Sequence, residues 1–421
     1  MTLQDQDQQF IWHPYTHQRN MLHPIPILRG KGSLIIDNND TSYIDAISSW
    51  WVNIHGHSHP YIADKIYQQA LTLEHVIFAG FTHKPAVELA SRLISKLPGL
   101  AKIFYSDNGS TATEVAIKMA LQYFKNLGIN KTKIIAFDGA YHGDTFGSMS
   151  ISERSIFNKA FDDKLFDVIF IEKPTAENLQ VIKEMLSPFD DIACFIYEPL
   201  LQGAGGMLMY QVDPMNELLD IITKKGIICI ADEVLTGFYR TGTFLASDQI
   251  NIRPDIICLS KGLTGGTMPL GVTACTQTVY DAFVSDDKEK TFYHGHSFTA
   301  NPLACSAALA SLDLLEREEC KNNVEFICRR QQQFLDELSL TERRKKTFHR
   351  RRCGTIAAFE IQTEQKDDYL NELSSVFTKY CLLKGVYLRP LGNTIYIMPP
   401  YCITKEELEK VYLVIFEFLD L

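Results

Sequence analysis

Short apolar runs alternate with amphipathic stretches through the middle of the chain. Runs at 102–105, 134–137, 168–171, 193–197, 227–231, 256–259 and 271–275 are almost wholly apolar. Strands buried on both faces read this way, whereas a half-exposed strand would alternate with polar residues. Between them, 110–124 predicts a helix with Ala116, Ala120, Leu121 and Phe124 on one face, and 176–186 and 215–225 predict two more. Buried strands separated by helices predict an α/β fold with a mostly parallel sheet covered on both sides. In such sheets ligands gather beyond the carboxyl ends of the strands, so polar residues just after a strand carry the most weight.

The two ends of the chain read differently. Gly30 and Gly32 break short β-like pieces at 34–36 and 43–44, and a helix-prone run at 300–315 leads into charged helical segments and β-like runs at 355–359 and 394–398. These patterns divide the chain into an N-terminal segment (1–55), a large domain (56–310), and a small α+β domain (311–421). The basic piece with Arg343, Arg344, Lys345, Lys346 and Arg350 to Arg352 reads as a solvated connection, because no aromatic residues interleave as they would on a nucleic-acid surface.

Composition narrows the class of protein. Across 421 residues, 46% are hydrophobic and 22% charged, and 41 basic against 51 acidic residues give a net charge of −10. An acidic balance disfavours a nucleic-acid partner and suits an enzyme of small molecules. All ten cysteines lie at or beyond Cys194, several inside apolar runs where a thiol behaves as a small hydrophobe. No run approaches the length of a membrane span, and residues 1–9 lack the basic-then-apolar pattern of a secretory leader. A reduced, cytoplasmic protein without a membrane partner is expected.

The chemistry concentrates at strand ends. Ile230-Ala231-Asp232-Glu233 puts carboxylates at the exit of one apolar strand, and Cys258-Leu259-Ser260-Lys261-Gly262 puts a lysine at the exit of another. Pyridoxal 5'-phosphate needs this pair, a lysine for the Schiff base and an acid for the pyridine nitrogen; a structural ion pair between the two is the other reading. Ser106-Asp107-Asn108-Gly109-Ser110-Thr111 joins a strand to a helix, and Thr111-Ala112-Thr113-Glu114 matches a capping box. Helix-start amides beside glycine suit a phosphate; an ordinary capped helix start fits as well. Tyr141, in Tyr141-His142-Gly143-Asp144, is placed to stack on a flat ring or to sit in the core.

With these residues in view, Ile230-Ala231-Asp232-Glu233-Val234-Leu235-Thr236-Gly237-Phe238-Tyr239-Arg240-Thr241-Gly242, Pro254-Asp255-Ile256 and Ser260-Lys261-Gly262 resemble the signature of the class III (omega) pyridoxal-phosphate-dependent aminotransferases. Glu198-Pro199, Gln202-Gly203 and Ser297-Phe298-Thr299-Ala300-Asn301-Pro302 belong to the same resemblance, which spans roughly 10–400. Tyr239 stands where relatives carry a second glycine. The flanks Trp12-His13-Pro14-Tyr15-Thr16, Ser48-Ser49-Trp50-Trp51, Tyr141-His142-Gly143-Asp144-Thr145 and Leu388-Arg389-Pro390-Leu391-Gly392 resemble the branch of that family that aminates 8-amino-7-oxononanoate in biotin synthesis.

The resemblance implies fold type I, with a seven-stranded-type sheet, and a homodimer. It implies pyridoxal phosphate as cofactor, Lys261 as its imine lysine and proton shuttle, Asp232 on the pyridine nitrogen and Tyr141 stacked on the ring. Gly109, Ser110 and Glu198 complete the cofactor site, with Ser297 reaching the phosphate from the partner subunit. Tyr15, Trp50, Arg240, Gly295 and Arg389 are the implied substrate residues, Arg389 pairing with a carboxylate, and the amino donor is S-adenosylmethionine or lysine. Another omega-aminotransferase, acting on ornithine, 4-aminobutyrate or a polyamine, and a non-catalytic pyridoxal-phosphate-binding protein stay open as alternatives. No metal centre is expected: His55, His57 and His59 alternate without an acidic or cysteine partner nearby and read as a loop before a helix.

Overall fold

The structure is a computed structural model that describes residues 1–20, 23–362 and 372–421. Seven strands build the central sheet. In spatial order they are Lys102–Ser106, Gly271–Cys275, Ile256–Leu259, Ile228–Asp232, Ile192–Tyr197, Lys133–Phe137 and Ile169–Ile171. Neighbours run parallel except at Gly271–Cys275, which is antiparallel to both its partners.

Side-chain alternation sorts these apolar runs into two cores. Ile134, Ala136, Cys194, Ile196, Ile228 and Ile230 face one way and pack under the helix Gly109–Asn126 through Ala112, Val115, Ala116 and Met119. Ile135, Phe137, Phe195, Tyr197, Cys229 and Ala231 face the other and meet Met215, Leu218, Leu219 and Ile222 of the helix Val212–Lys224. Each fully buried aliphatic side chain contributes about 1.5–3 kcal/mol, so a sheet covered on both faces is a stiff platform for its own edge.

Two smaller sheets flank the platform. Ile27–Lys31, Leu34–Asp37 and Ser42–Asp45 form an antiparallel meander, to which Val386–Tyr387 adds in parallel from the far end of the chain. Thr347–Cys353, Ile356–Ile361 and Thr394–Ile397 form a three-stranded antiparallel sheet. It is backed by the helices Glu318–Leu340 and Lys405–Leu419, where Phe334 and Tyr412 stack at 4.4 Å. Among the described residues no helix is long and apolar enough to cross a membrane.

Three local expectations are corrected. The basic piece is only in part a solvated connection: Arg343 to Lys345 form a short 3-10 turn with Arg344 and Lys345 exposed, but Arg350 to Arg352 lie in the strand Thr347–Cys353, where Arg351 donates to the carbonyls of Gly206 and Met207 and to Glu360. A guanidinium can enter a sheet when every direction of its fork finds an acceptor. The long helix starts at Gly109, one residue before the predicted 110, and its cap is not Thr111. Asn108 caps it, accepting from the Thr111 N–H at 2.9 Å while the Thr111 hydroxyl accepts from the Asn108 N–H; Asn caps as well as Ser or Thr. The helix predicted from 176 begins at Leu179, because a reciprocal Thr175–Asn178 turn occupies the preceding residues.

Candidate active site

Lys261 and Asp232 end adjacent parallel strands and share one cavity of about 690 Å³. Among the described residues no carboxylate pairs with Lys261, so the ion-pair alternative is not realised. Its Nζ lies 4.7 Å from the centre of the Trp51 ring, and burial pushes its ammonium below the usual range, opposed by Asp232 and Glu198. Asp232 is instead bonded to His142, whose Nδ1 lies 2.7 Å from Oδ2, while Oδ1 accepts from the Val234 N–H at 3.1 Å. His142 Nε2, on the other side of that ring, is buried without a hydrogen-bond partner.

The backbone around these groups is strained. Lys261 (φ 44°) and Ser48, Ser49 and Trp51 (φ 55°, 59° and 69°) are all left-handed without being glycine. Such residues cost about 1–3 kcal/mol each and persist only where surroundings hold them. Here Asp45 accepts from the Ser49 N–H at 2.7 Å, the Ser48 hydroxyl donates to the Met398 carbonyl, and Trp51 Nε1 donates to the Tyr396 hydroxyl at 2.9 Å.

The opposite wall is a helix start. Gly109 and Ser110 line the cavity with the first amides of an 18-residue helix. The leading N–H groups of a helix lack internal partners and carry the positive end of its dipole. A Cβ at Gly109 would come within 2.7 Å of Val234, so only glycine lets this turn sit against the Asp232 strand.

Tyr141 enters from the loop after Lys133–Phe137. Its N–H donates to Glu198 Oε1 at 3.1 Å, and Glu198 Oε2 accepts from the Gly203 N–H at 2.8 Å. Glu198 therefore joins the Tyr141 loop to the next turn. Burial pushes its carboxyl up to about 7 against the pull of His142 and those two N–H groups. Burial likewise raises the Tyr141 phenol far above its usual range.

A second cavity, about 730 Å³, opens on the first and shares Trp50, Trp51, Tyr141, Asp144, Ala204 and Lys261 with it. Aromatic rings dominate its mouth. Tyr15 meets Trp50 and Phe157 edge-on at 5.6 and 5.7 Å, and its hydroxyl donates to Asp144 at 2.6 Å. The Arg389 guanidinium lies 5.2 Å from the Trp50 ring and donates to the Tyr15 carbonyl at 3.5 Å.

The structure brings Lys261, Asp232, Tyr141, Gly109, Ser110, Glu198, Tyr15, Trp50 and Arg389 to these two cavities. Arg240 is a correction. It is 1% exposed and lines neither cavity; its guanidinium donates to the carbonyls of Pro399 and Trp51 and lies against Tyr401. A buried cation needs acceptors, and two backbone carbonyls serve its Nη1 and Nη2, while its Nε is buried without a hydrogen-bond partner. Tyr239 holds the left-handed conformation (φ 71°) that a glycine would take there, its N–H and that of Phe238 both turned to the Phe244 carbonyl. Gly295 and Ser297 are exposed and line neither cavity of this chain. Of the three alternating histidines, His55 and His59 meet edge-on at 6.3 Å, His55 also reaching Ser311 and His59 preceding the helix Pro60–Thr72, while His57 points elsewhere and, against expectation, meets a carboxylate, Asp45.

Sequence reasoning assigned no role to His142, Asp144, Ala204 or Phe157. His142 and Asp144 stood beside Tyr141 in a quoted motif, and their position after a strand was a usable signal. Phe157 had none.

An amine, a carboxylate, an aromatic ring and a helix start converge on one cavity at the sheet edge, which defines a pyridoxal-phosphate enzyme. The sequence agrees: the family described as "Aminotransferase class-III" matches residues 15–419, and the chain belongs to that family. It is 45% identical to the adenosylmethionine-8-amino-7-oxononanoate aminotransferase of Synechococcus elongatus, over 97% of this chain and 98% of that one. The crystal structure of the enzyme of that name from Methanocaldococcus jannaschii superposes with a TM-score of 0.93 at 34% identity, covering 99% of this chain and 98% of that one. An amine transaminase from an uncultivated Pseudomonas species, solved in its PLP-bound form, covers 97% of each chain with a TM-score of 0.90 at 28% identity. The donor set fits that cofactor: a buried lysine and a buried carboxylate at neighbouring strand ends, helix-start amides with glycine, and a tyrosine line one cavity.

Proposed function

We propose that this chain transfers an amino group from S-adenosylmethionine to the ketone of 8-amino-7-oxononanoate, giving 7,8-diaminononanoate for biotin synthesis. The observation that carries this reading is the aromatic cavity ending at Arg389 and opening on Lys261, in a chain alike end to end with enzymes named for that substrate. The names of those relatives favour S-adenosylmethionine over lysine as donor.

Bound pyridoxal phosphate supplies an electron sink and a carrier for the nitrogen between two half-reactions. Everything else falls to the protein. Lys261 anchors the cofactor and, with its ammonium weakened by burial, takes the proton from the amine-bearing carbon and returns it on the other side of the transfer. Asp232, oriented by His142, holds a proton on the pyridine nitrogen. The Gly109 and Ser110 amides hold the phosphate, and the Tyr141 ring, fixed through Glu198, covers the ring face. Arg389 binds the substrate carboxylate, for which a planar guanidinium is suited, while Tyr15 and Trp50 exclude water along the alkyl chain. Ser297 serves the site of a second copy in a cytoplasmic homodimer; it is exposed and lines neither cavity of this chain, which supports that arrangement.

The test is a visible spectrum of purified protein during addition of S-adenosylmethionine, with mass spectrometry of the product after the ketone follows. The cofactor band is expected to bleach and then return as 7,8-diaminononanoate forms. A band that responds to lysine instead corrects the donor, and one that responds to neither overturns the reading.

A further inference from the structure

Ala204, with Tyr141 and Asp144, lines both large cavities and a small one beneath them. It sits in a turn closed by the N–H groups of Gly206 and Met207, which donate to the Gly203 carbonyl at 3.2 and 2.9 Å. The turn has no slack. A Cβ at Gly203 would lie 2.2 Å from Leu235, and one at Gly205 would lie 2.2 Å from the Gly139 carbonyl oxygen. Glu198 fixes its near end through the Gly203 N–H.

Arg351 fixes the far end. Its Nε donates to the Met207 carbonyl at 2.8 Å, Nη2 to the Gly206 carbonyl at 2.6 Å, and Nη1 to Glu360 at 2.9 Å. Met207 is left-handed (φ 54°) without being glycine, a conformation that persists only where neighbours hold it. A bulge aims the arginine. Pairing runs from Phe348↔Glu360 directly to Arg351↔Ala358, so this strand carries one extra residue, and His349 within it is left-handed (φ 44°). Bulges beside binding sites commonly re-aim a side chain in this way.

We propose that Arg351 is a positioning residue for the keto substrate. Reaching from the three-stranded sheet, it holds the Gly206 and Met207 carbonyls and so sets where Ala204 stands between the two cavities. Ala204 set back leaves the passage open for a long keto acid; a released turn would move its methyl into that passage. The proposal rests on the function read above.

The test uses holoenzyme of wild type, Arg351→Ala and Arg351→Lys, with steady-state kinetics on 8-amino-7-oxononanoate, cofactor content and thermal melting. Arg351→Ala is expected to raise KM for the ketone about tenfold with kcat little changed, the signature of lost binding rather than lost chemistry. Arg351→Lys should recover part of that, since a single ammonium cannot span both carbonyls and Glu360. If Arg351→Ala fails to fold, Glu360→Gln carries the test and should show the same split at smaller size. An unchanged KM, or a parallel loss of kcat and cofactor content at constant KM, overturns the proposal. Failure of wild type to aminate the ketone overturns instead the function on which it rests.

Discussion

The two cavities meet at Lys261 but are built by opposite means. The first is assembled mainly from the ends of strands in one sheet and the start of one helix within 107–270, with Trp50, Trp51 and Val52 closing it from the N-terminal segment. Its carboxylates are held by bonds to buried partners of the same platform, as Asp232 is by His142. The second draws on residues from Pro14 to Tyr396, and its Arg389–Tyr15 contact closes across 374 positions of sequence. Its walls are rings and alkyl chains. Chemistry common to a family sits on the rigid platform, and substrate choice sits on pieces laid over it. The platform can therefore stay fixed while the overlay changes.

Three substitutions would break or sharpen this contrast. Lys261→Ala, where the two cavities meet, should strike the chemistry: the cofactor band is lost and turnover falls by at least about 10²–10⁴-fold from the missing proton transfer. Retained turnover would separate the cavity from the chemistry altogether. Glu198→Gln probes the seam between the Tyr141 loop and the Gly203 turn. The folded chain holds this carboxyl neutral up to about 7, against an ordinary value of 4.5. The stability of wild type over the variant is then full below pH 4.5 and is lost as pH rises through about 7, a change on the order of 3 kcal/mol. Denaturant melts across that window measure it, and a flat difference would show that Glu198 does not titrate there. Arg389→Ala should strike the second cavity alone, raising KM for the ketone roughly 30-fold, or about 2 kcal/mol for a charged hydrogen-bonded contact, with the cofactor band intact. An unchanged KM would remove Arg389 from substrate binding.

The same contrast governs what could be read in advance. The strands of the central sheet were legible because burial on both faces demands unbroken apolar runs, and Lys261 and Asp232 were legible because a charged residue at the end of such a run has few uses. The helix start was legible as a place but not in its cap, since Asn108, Thr111 and Thr113 all carry cap-forming side chains and only geometry chooses among them. Arg351 was misread because three consecutive arginines look solvated until the acceptors that bury one of them are known. Arg240 was misplaced because a family motif fixes a position in sequence, not the direction of a side chain. Phe157 and Ala204 were silent, as apolar residues that become part of a site only through distant neighbours.

The pairing of Val386–Tyr387 with Ser42–Asp45 also sets an order of assembly. A nascent chain emerging from the ribosome folds from its beginning as it lengthens. By Cys275 every strand of the central sheet has been synthesised, yet the first fifty residues still wait for a partner more than three hundred positions downstream. Trp12, 87% exposed even in the finished fold, and its aromatic neighbours belong to this waiting segment. A translation product cut short before Val386 keeps the whole platform and lacks one wall of the substrate pocket.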